Sequence, residues 1–427
     1  MRGALASVLD VGKIGEVGEV GAMKLPNWMW ALGATLLMQS SASFMGQCLP
    51  VVAPLLTASA GLAPERIGNL SSITSFGTVL FLAFGSAFLA RFGPVRMLQI
   101  GAGFAILAML IAASGWWPGL VLAAVLLGIG YGPTPPAGSR ILAATAPPRH
   151  RSLIFSIKQA GAPAGGALAG LVIAPFAIRY GWQAALLLAI VVSAVSASVI
   201  SPLRGMMDSE RDPARSIRPG AVLHWRNLLA PVAALWGDPL LISITAMAVS
   251  FSLVQGILFS FSVTYLTQRG LSLEQAGLAY ACLQAAGVVA RVFLGWLADR
   301  TGTPARNLTV QAYVAGLTMW LYAYLPLDLP LGWVAAAAAV TGFFSASWNG
   351  IYMAEVARLA PAARVADATS GSTLFTFMGY VAGPSLFAFA VPGLGWQLPF
   401  GLAGSQLMVM AGVQSWLLWR RRQSVSG

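Results

Sequence analysis

Three cationic side chains carry most of the chemistry this sequence offers. Arg140, Lys158 and Arg291 each fall inside a long apolar stretch, and no Asp or Glu falls clearly inside one. Asp238, Asp299, Glu355 and Asp367 sit where such stretches end. A charge at the centre of a bilayer costs at least ~2.5–3.5 kcal/mol, so it normally faces a wet cavity or finds a partner. With no acid at that depth, the missing counter-ion is expected to arrive from outside, as an anion. An Arg fork binds planar oxyanions through two parallel hydrogen bonds, and Lys adds a point charge. The trio suits a small organic carboxylate or a cyanate-like ion. A second reading stays open for each residue, since long cationic side chains also reach back to water at a membrane edge. At 1.5 Å rise per residue, Arg291 lies about 12 Å from Asp299 and Lys158 about 10 Å from Arg151. Arg140 is similarly near the end of its stretch, and Arg291 has the further option of pairing with an acid of another helix.

The elements that must position these residues are apolar and long. Apolar residues make up 57% of the 427 and charged residues only 9%, with a mean hydropathy of +0.76. A soluble domain carries about 25% charged residues. A bilayer crossing needs roughly 20 apolar residues, and twelve such stretches occur, at about 28–56, 68–90, 96–114, 118–145, 152–178, 182–201, 239–266, 274–298, 307–325, 331–353, 370–391 and 397–419. The expected fold is an all-α membrane protein of twelve transmembrane helices. The net charge of +12 does not point to nucleic acid, because the charges cluster at helix ends rather than on one basic surface. Cys48 and Cys282 both fall in apolar segments and read as small buried side chains. No metal or cofactor site is expected.

An even number of crossings puts both termini on one side. Arg91, Arg96, Arg149, Arg151, Arg300, Arg306, Arg358 and Arg364 occupy alternate loops. The central loop adds Arg204, Arg211, Arg215, Arg218 and Arg226, and the tail Arg420, Arg421 and Arg422. The opposite loops hold only Arg66, Arg179 and Arg269. Basic loops stay in the cytoplasm, so the termini and central loop are expected there, in a bacterial inner membrane. The organisation is a tail at 1–27, a six-helix bundle at 28–201, a central loop at 202–238, a second bundle at 239–419 and a tail at 420–427. The first tail lacks the basic start and apolar core of a cleaved signal, and Met23 is an alternative start. Within the central loop, Trp225, Leu228, Leu229, Val232 and Leu235 would share one face of a helix lying in the headgroups; a plain linker is the other reading. A monomer is expected.

Sliding the chain by 209 residues lays Gly61–Gly68 over Gly270–Gly277 and, without a gap, Arg91-Phe92-Gly93 over Arg300-Thr301-Gly302. Two six-helix halves related by a parallel repeat, with the substrate between them, are a recurring build of secondary transporters. Gly295-Trp296-Leu297-Ala298-Asp299-Arg300-Thr301-Gly302, followed by Arg306, resembles the inner-loop signature Gly-x-x-x-Asp-Arg-x-Gly of the major facilitator superfamily. The resemblance implies that Gly295, Asp299, Arg300 and Gly302 help govern closure on the inner side, together with Arg91 and Gly93 of the first copy. That copy departs from the pattern, with Ser86 and Ala90 in the Gly and Asp slots. A narrower resemblance joins Ser156–Gly166 and Trp348-Asn349-Gly350 to bacterial cyanate-permease-like carriers. Arg291, one turn before Gly295, resembles the carboxylate-contacting Arg of monocarboxylate and oxalate carriers. Nitrate carriers would also place an Arg in the second crossing, where this chain has Leu82.

Other polar groups fit a lined path: Gln39, Ser43 and Gln47 in the first crossing, Gln255 in the seventh, Asn349 in the tenth, and Thr373 and Tyr380 in the eleventh, with Phe44, Phe259, Trp348 and Phe375 as shaping groups. Pro133, Pro135 and Pro136 must break or kink the fourth crossing. Such a break is tolerated where a cavity or protein surrounds it, so cavity wall and packing kink are both open. Gly161, Gly165, Gly166 and Gly170 are spaced to admit a close neighbour. The expected activity is secondary transport of a small anion by alternating access, through proton symport or anion exchange, since no phosphate-binding Gly-x-x-x-x-Gly-Lys motif occurs. The alternatives are a drug or hydrophobic-metabolite exporter, which would be expected to carry an intramembrane acid, and a non-transporting membrane sensor. An enzyme is not expected, because His150 and His224 lie in loops away from any constellation of nucleophile and base.

Overall fold

The computed structural model describes residues 26–147, 151–218, 233–236, 238–326, 328–361 and 364–426. The N-terminal tail, both histidines and most of the candidate headgroup helix lie outside these residues. The first half contains α1 (Asn27–Ser59), α2 (Arg66–Phe84), α3 (Ser86–Phe92), α4 (Pro94–Ala112), α5 (Trp117–Tyr131), α6 (Thr134–Thr145), α7 (Arg151–Tyr180), α8 (Trp182–Val199) and the single turn α9 (Arg204–Met207). The second contains α10 (Pro239–Gln268), α11 (Leu273–Thr301), α12 (Pro304–Tyr324), α13 (Leu331–Ser345), α14 (Asn349–Leu359), α15 (Val365–Leu394) and α16 (Gln397–Ser426).

Among the described residues, ten helical spans are long and apolar enough to cross a bilayer. The expected crossings at 307–325 and 397–419 fall within α12 and α16, helices of 21 and 30 residues that are more polar. Their glutamines account for part of this. Gln311 donates to the Phe344 carbonyl at 2.8 Å, Gln406 to the Ser250 carbonyl at 3.2 Å, and Gln414 accepts from Ser243. Hydrogen bonds between helices satisfy polar groups that lipid could not.

Three expected crossings are interrupted. The second divides at Gly85 into α2 and α3. The fourth divides at Gly132-Pro133 into α5 and α6, yet both residues keep right-handed helical angles, so the axis kinks without unwinding. Pro135 and Pro136 then sit in the first turn of α6, where a missing N–H is harmless. The tenth divides between Ser345 and Asn349 with no proline at the break, extending the crossing to Leu359. Glu355 therefore lies inside that crossing, fully buried, with a bidentate pair to Arg358 at 2.6 and 2.7 Å.

The two halves repeat each other in detail. Gly61 and Gly270, and Gly93 and Gly302, all take positive φ. A Cβ on Gly165 would clash with the Ser40 carbonyl, and one on Gly379 with the Val249 carbonyl. Gly128 stands in the same relation to Thr74, and Gly342 to Leu283. Ser40 and Val249, like Thr74 and Leu283, are 209 positions apart, the shift of the sequence repeat. The glycines of α7 serve two faces: Gly161 and Gly165 meet α1, while Gly166 and Gly170 meet α11. Such small residues let helix backbones approach closely.

Candidate functional site

A cavity of about 720 Å³ lies between the halves. It runs from mid-depth, where Arg291, Gln255 and Tyr380 line it, to Ser86, Leu89, Thr369 and Ser370 near the face that carries the arginine-rich loops. On the opposite face the halves are packed. A Cβ on Gly170 would lie 2.6 Å from the Gly277 carbonyl oxygen, and one on Gly68 2.6 Å from that of Pro384. Gln47, Tyr280 and Gln284 add a chain of hydrogen bonds across the same seam, each 2.6 Å.

Arg291 forms part of the wall, held there by α7, which carries a proline, and by the interrupted tenth crossing. Its Nη1 donates to the Gln159 carbonyl at 2.9 Å, and its Nε to the Ala346 carbonyl at 3.1 Å. In an unbroken helix those oxygens would accept from residues four positions on. Residue 163 is proline and has no N–H, and the break after Ser345 removes the donor for Ala346. The third contact runs from Nη2 to Asn349 Oδ1 at 3.2 Å. All three partners are neutral, and among the described residues Arg291 pairs with no carboxylate. Of the five guanidinium N–H groups, two remain unassigned.

Gln255 sets the polarity beside it. Its Oε1 accepts from the Trp348 indole at 2.9 Å and from the Tyr380 hydroxyl at 2.8 Å. An indole N–H only donates, which fixes the amide orientation and leaves its NH2 group as the donor on the cavity wall. Trp348 itself is fully buried behind the wall, stacked on Phe251 with ring centroids 5.6 Å apart. Asn349, Gln47, Phe259 and Thr373 line the cavity, and Tyr131 lines it with its hydroxyl accepting from Gln39 at 3.0 Å.

Other sequence candidates fall elsewhere. Lys158 is 1% exposed and lies one layer behind the wall, its Cε against Gly138 of α6 with Thr35 of α1 alongside. Arg140 leaves the membrane interior: its Nη2 donates to the Glu210 carbonyl at 2.9 Å, the edge-seeking alternative for such a side chain. Phe375 points outward, 38% exposed, and Phe44 is buried against α7. Of the signature residues, Asp299 and Arg300 are exposed at the arginine-rich face, Arg300 over the Trp296 ring at 5.3 Å. Gly295 lies open, and Gly302 ends α11 in a left-handed conformation. Arg91 donates to the Arg215 carbonyl at 3.0 Å.

Two features went unread in the sequence. Ser71, Thr74, Ser75 and Thr78 form a hydroxyl stripe on α2, facing Thr369, Ser370, Thr373 and Thr376 of α15 across the cavity. The spacing of three and four was visible; its direction was not. Thr74, Ser75 and Thr373 donate to carbonyls of their own helices, which leaves their oxygens to accept from a ligand. The second is Asp208, 4% exposed, which accepts from the amides of Val95 at 2.7 Å and Arg96 at 3.2 Å and so caps α4 from a distant part of the chain. Gly93 makes room, since a Cβ there would lie 2.6 Å from the carboxyl carbon.

Comparison with known proteins agrees with this architecture. The chain is 27% identical, over 75% of its length and 74% of the relative's, to an uncharacterised MFS-type transporter of Mycobacterium tuberculosis (strain CDC 1551 / Oshkosh). It is 25% identical to the gallate transporter of Pseudomonas putida, covering 67% of this chain and 69% of that one. With the probable sulfoacetate transporter SauU of Cupriavidus necator it shares 24% identity over 85% of this chain and 87% of the other. In three dimensions it superposes on the peptide transporter POT in complex with sulfate with a TM-score of 0.73 at 16% identity, covering 95% and 96% of the two chains. A bacterial homologue of the lysosomal transporter Spinster, in an inward-facing and unoccupied conformation, gives 0.70 at 16% identity, covering 93% and 98%. The family model described as Major Facilitator Superfamily matches residues 35–370, and this multi-pass membrane protein belongs to that superfamily.

Proposed function

We propose that this protein carries small organic carboxylates across a bacterial inner membrane by alternating access. Arg291 is the carboxylate anchor, Gln255, Asn349, Tyr131 and Tyr380 surround it, and the stripes on α2 and α15 accept hydrogen bonds from hydroxyl groups on the cargo. One observation carries the reading: a guanidinium on a cavity wall, held only by neutral acceptors, with two N–H groups to spare. The relatives named for gallate and sulfoacetate transport support an organic anion. A cavity of about 720 Å³ suits a hydroxylated aromatic or sugar acid better than cyanate, which is only three atoms long.

With the arginine-rich loops in the cytoplasm, the cavity faces inward and the packed glycine seam closes the outer side. Rocking one half against the other would open that seam and bring Asp299, Arg300, Gly302, Arg91 and Gly93 toward closure. The chain works as a monomer, and the sulfonate named for one relative would use the same fork. The test is calorimetric titration of purified protein with 4-hydroxybenzoate, gallate, galacturonate and sulfoacetate, with cyanate and a cationic dye as controls. Binding of at least one organic acid, weakened about tenfold or more in Arg291→Ala as expected for loss of a charged hydrogen bond, supports the assignment. Affinity only for the dye, or unchanged affinity in that variant, overturns it.

A further inference from the structure

Among the described residues, Lys158 is the one buried cation that anchor and wall leave without a task. Its side chain is 1% exposed, and among the described residues its ammonium has neither an ion-pair partner nor a hydrogen-bond acceptor. Around it, α1 presents Thr35 and α6 presents Gly138. The next residue on α7 is Gln159, whose carbonyl holds Arg291, so the backbone of α7 joins the two cations. Gln39 Oε1 is itself buried without a donor. Tyr131 on α5 and Tyr380 on α15 face Arg291, and Arg140 on α6 is drawn off to the Glu210 carbonyl. Among the described residues, neither an Asp, a Glu nor a His lines the cavity.

We propose that Lys158 is the proton site of the carrier: a neutral amine when the cavity is empty, and an ammonium when a carboxylate sits on Arg291. The reasoning is electrostatic. A charge buried with neither an acid nor water beside it is costly, so with the cavity empty the amine is held neutral. A carboxylate on Arg291 cancels the neighbouring charge and brings its own negative field, so the amine takes a proton from water. Linkage makes this reciprocal, and protonation of Lys158 tightens the anion by the same factor. One anion and one proton then cross together with no net charge, which selects symport over exchange. The proposal rests on Arg291 being the anion site.

The experiment is titration of the purified full-length protein with 4-hydroxybenzoate between pH 6 and 8, in two buffers of different ionisation enthalpy, which counts protons taken up per anion bound. The wild type is expected to take up close to one proton at pH 8, with affinity falling by up to about tenfold per pH unit, the limit for one linked proton. Lys158→Arg keeps a permanent charge; it is expected to bind with no proton uptake and a flat profile. Lys158→Gln is expected to bind several-fold more weakly, also without uptake, and it keeps the test open where the larger guanidinium does not fit. Wild-type binding without proton uptake, or uptake retained in both variants, overturns the proton site while leaving the anion site standing. No binding of 4-hydroxybenzoate at any of these pH values overturns both for this class of acid.

Discussion

The guanidinium of Arg291 reaches across from one half of the molecule to the backbone carbonyl of Gln159 in the other, 2.9 Å away, and that oxygen is free because residue 163 is proline. A helix defect in one bundle is thus the receptor for a charge in the other. The contact holds the guanidinium on the cavity wall, and it also ties the halves together at the cavity end of their packed seam.

Restoring the missing N–H should separate these roles. In Pro163→Ala the helix reclaims the Gln159 carbonyl, and Arg291 keeps Ala346 and Asn349. Proline inside a helix costs about 3 kcal/mol, so the melting temperature of the purified protein is expected to rise. Affinity for organic acids should fall several-fold, because the fork is less firmly aimed. A variant that gains stability and keeps full affinity would show that Gln159 does not position the anchor.

Changing Gln255 tests the wall on stability and charge independently. Gln255→Leu leaves the indole N–H of buried Trp348 and the hydroxyl of Tyr380 without their shared acceptor. An unsatisfied buried donor costs about 1–3 kcal/mol, so melting should shift down by several degrees. Gln255→Glu keeps an oxygen for both donors and adds the acid that this wall lacks. That variant should melt close to the wild type yet lose anion binding, as its own carboxylate competes for Arg291; undiminished affinity would place the anion elsewhere.

Arg140, Lys158 and Arg291 stood out in the sequence because a cation in an apolar run without acids is costly whatever surrounds it, and of the three the structure places Arg291 on the cavity wall. The repeat was legible through Gly61, Gly93, Gly270 and Gly302, where a backbone requirement leaves the same letter in both halves. A second trace, Gly181-Trp182-Gln183 against Gly395-Trp396-Gln397, was there to be found, with both glycines at positive φ. Direction around a helix was not legible. Lys158 and Gln159 are neighbours about 100° apart on α7, and the turns that follow, Ala160 to Gly166, hold only small residues and a proline, so no apolar stripe there says which faces the cavity. The structure turns Gln159 to the cavity and Lys158 into the layer behind. Arg140 and Asp208 depended on where residues 208–215 run after α9, and loop paths leave no period in a sequence.

The glycine seam predicts a conformational effect. Gly170→Val places a methyl-bearing Cβ where only 2.6 Å separates it from the Gly277 carbonyl, so the halves cannot close on the side away from the arginine-rich loops. Overpacking of this kind costs about 1–3 kcal/mol, enough to shift a two-state carrier toward the alternative opening. With Cys48 and Cys282 replaced by Ser, a cysteine at cavity-lining Ser71 should react several-fold faster with an impermeant maleimide applied from that side. Equal rates with and without the valine would mean that the seam is not the gate.

Asp208 makes the last prediction, one of pH. Burial holds its carboxyl above the usual carboxylate range, with the amides of Val95 and Arg96 and the charges of Arg204 and Arg211 offsetting only part of that rise. A carboxyl whose folded value is raised contributes most to stability when protonated, so its contribution is present at low pH and is lost as pH rises through the folded value. Asn caps a helix about as well as Asp, and Ala loses about 1 kcal/mol. Asp208→Asn should therefore match the wild type near neutrality, or slightly exceed it, and the wild type should gain on it as pH falls below the raised value. Asp208→Ala should be the least stable at every pH, because α4 keeps its exposed amides and loses the cap. Thermal melts of the three proteins across the acidic range check this; a wild type that instead loses ground to Asp208→Asn on acidification would mean that the carboxylate is stabilised at this helix end, not strained by burial.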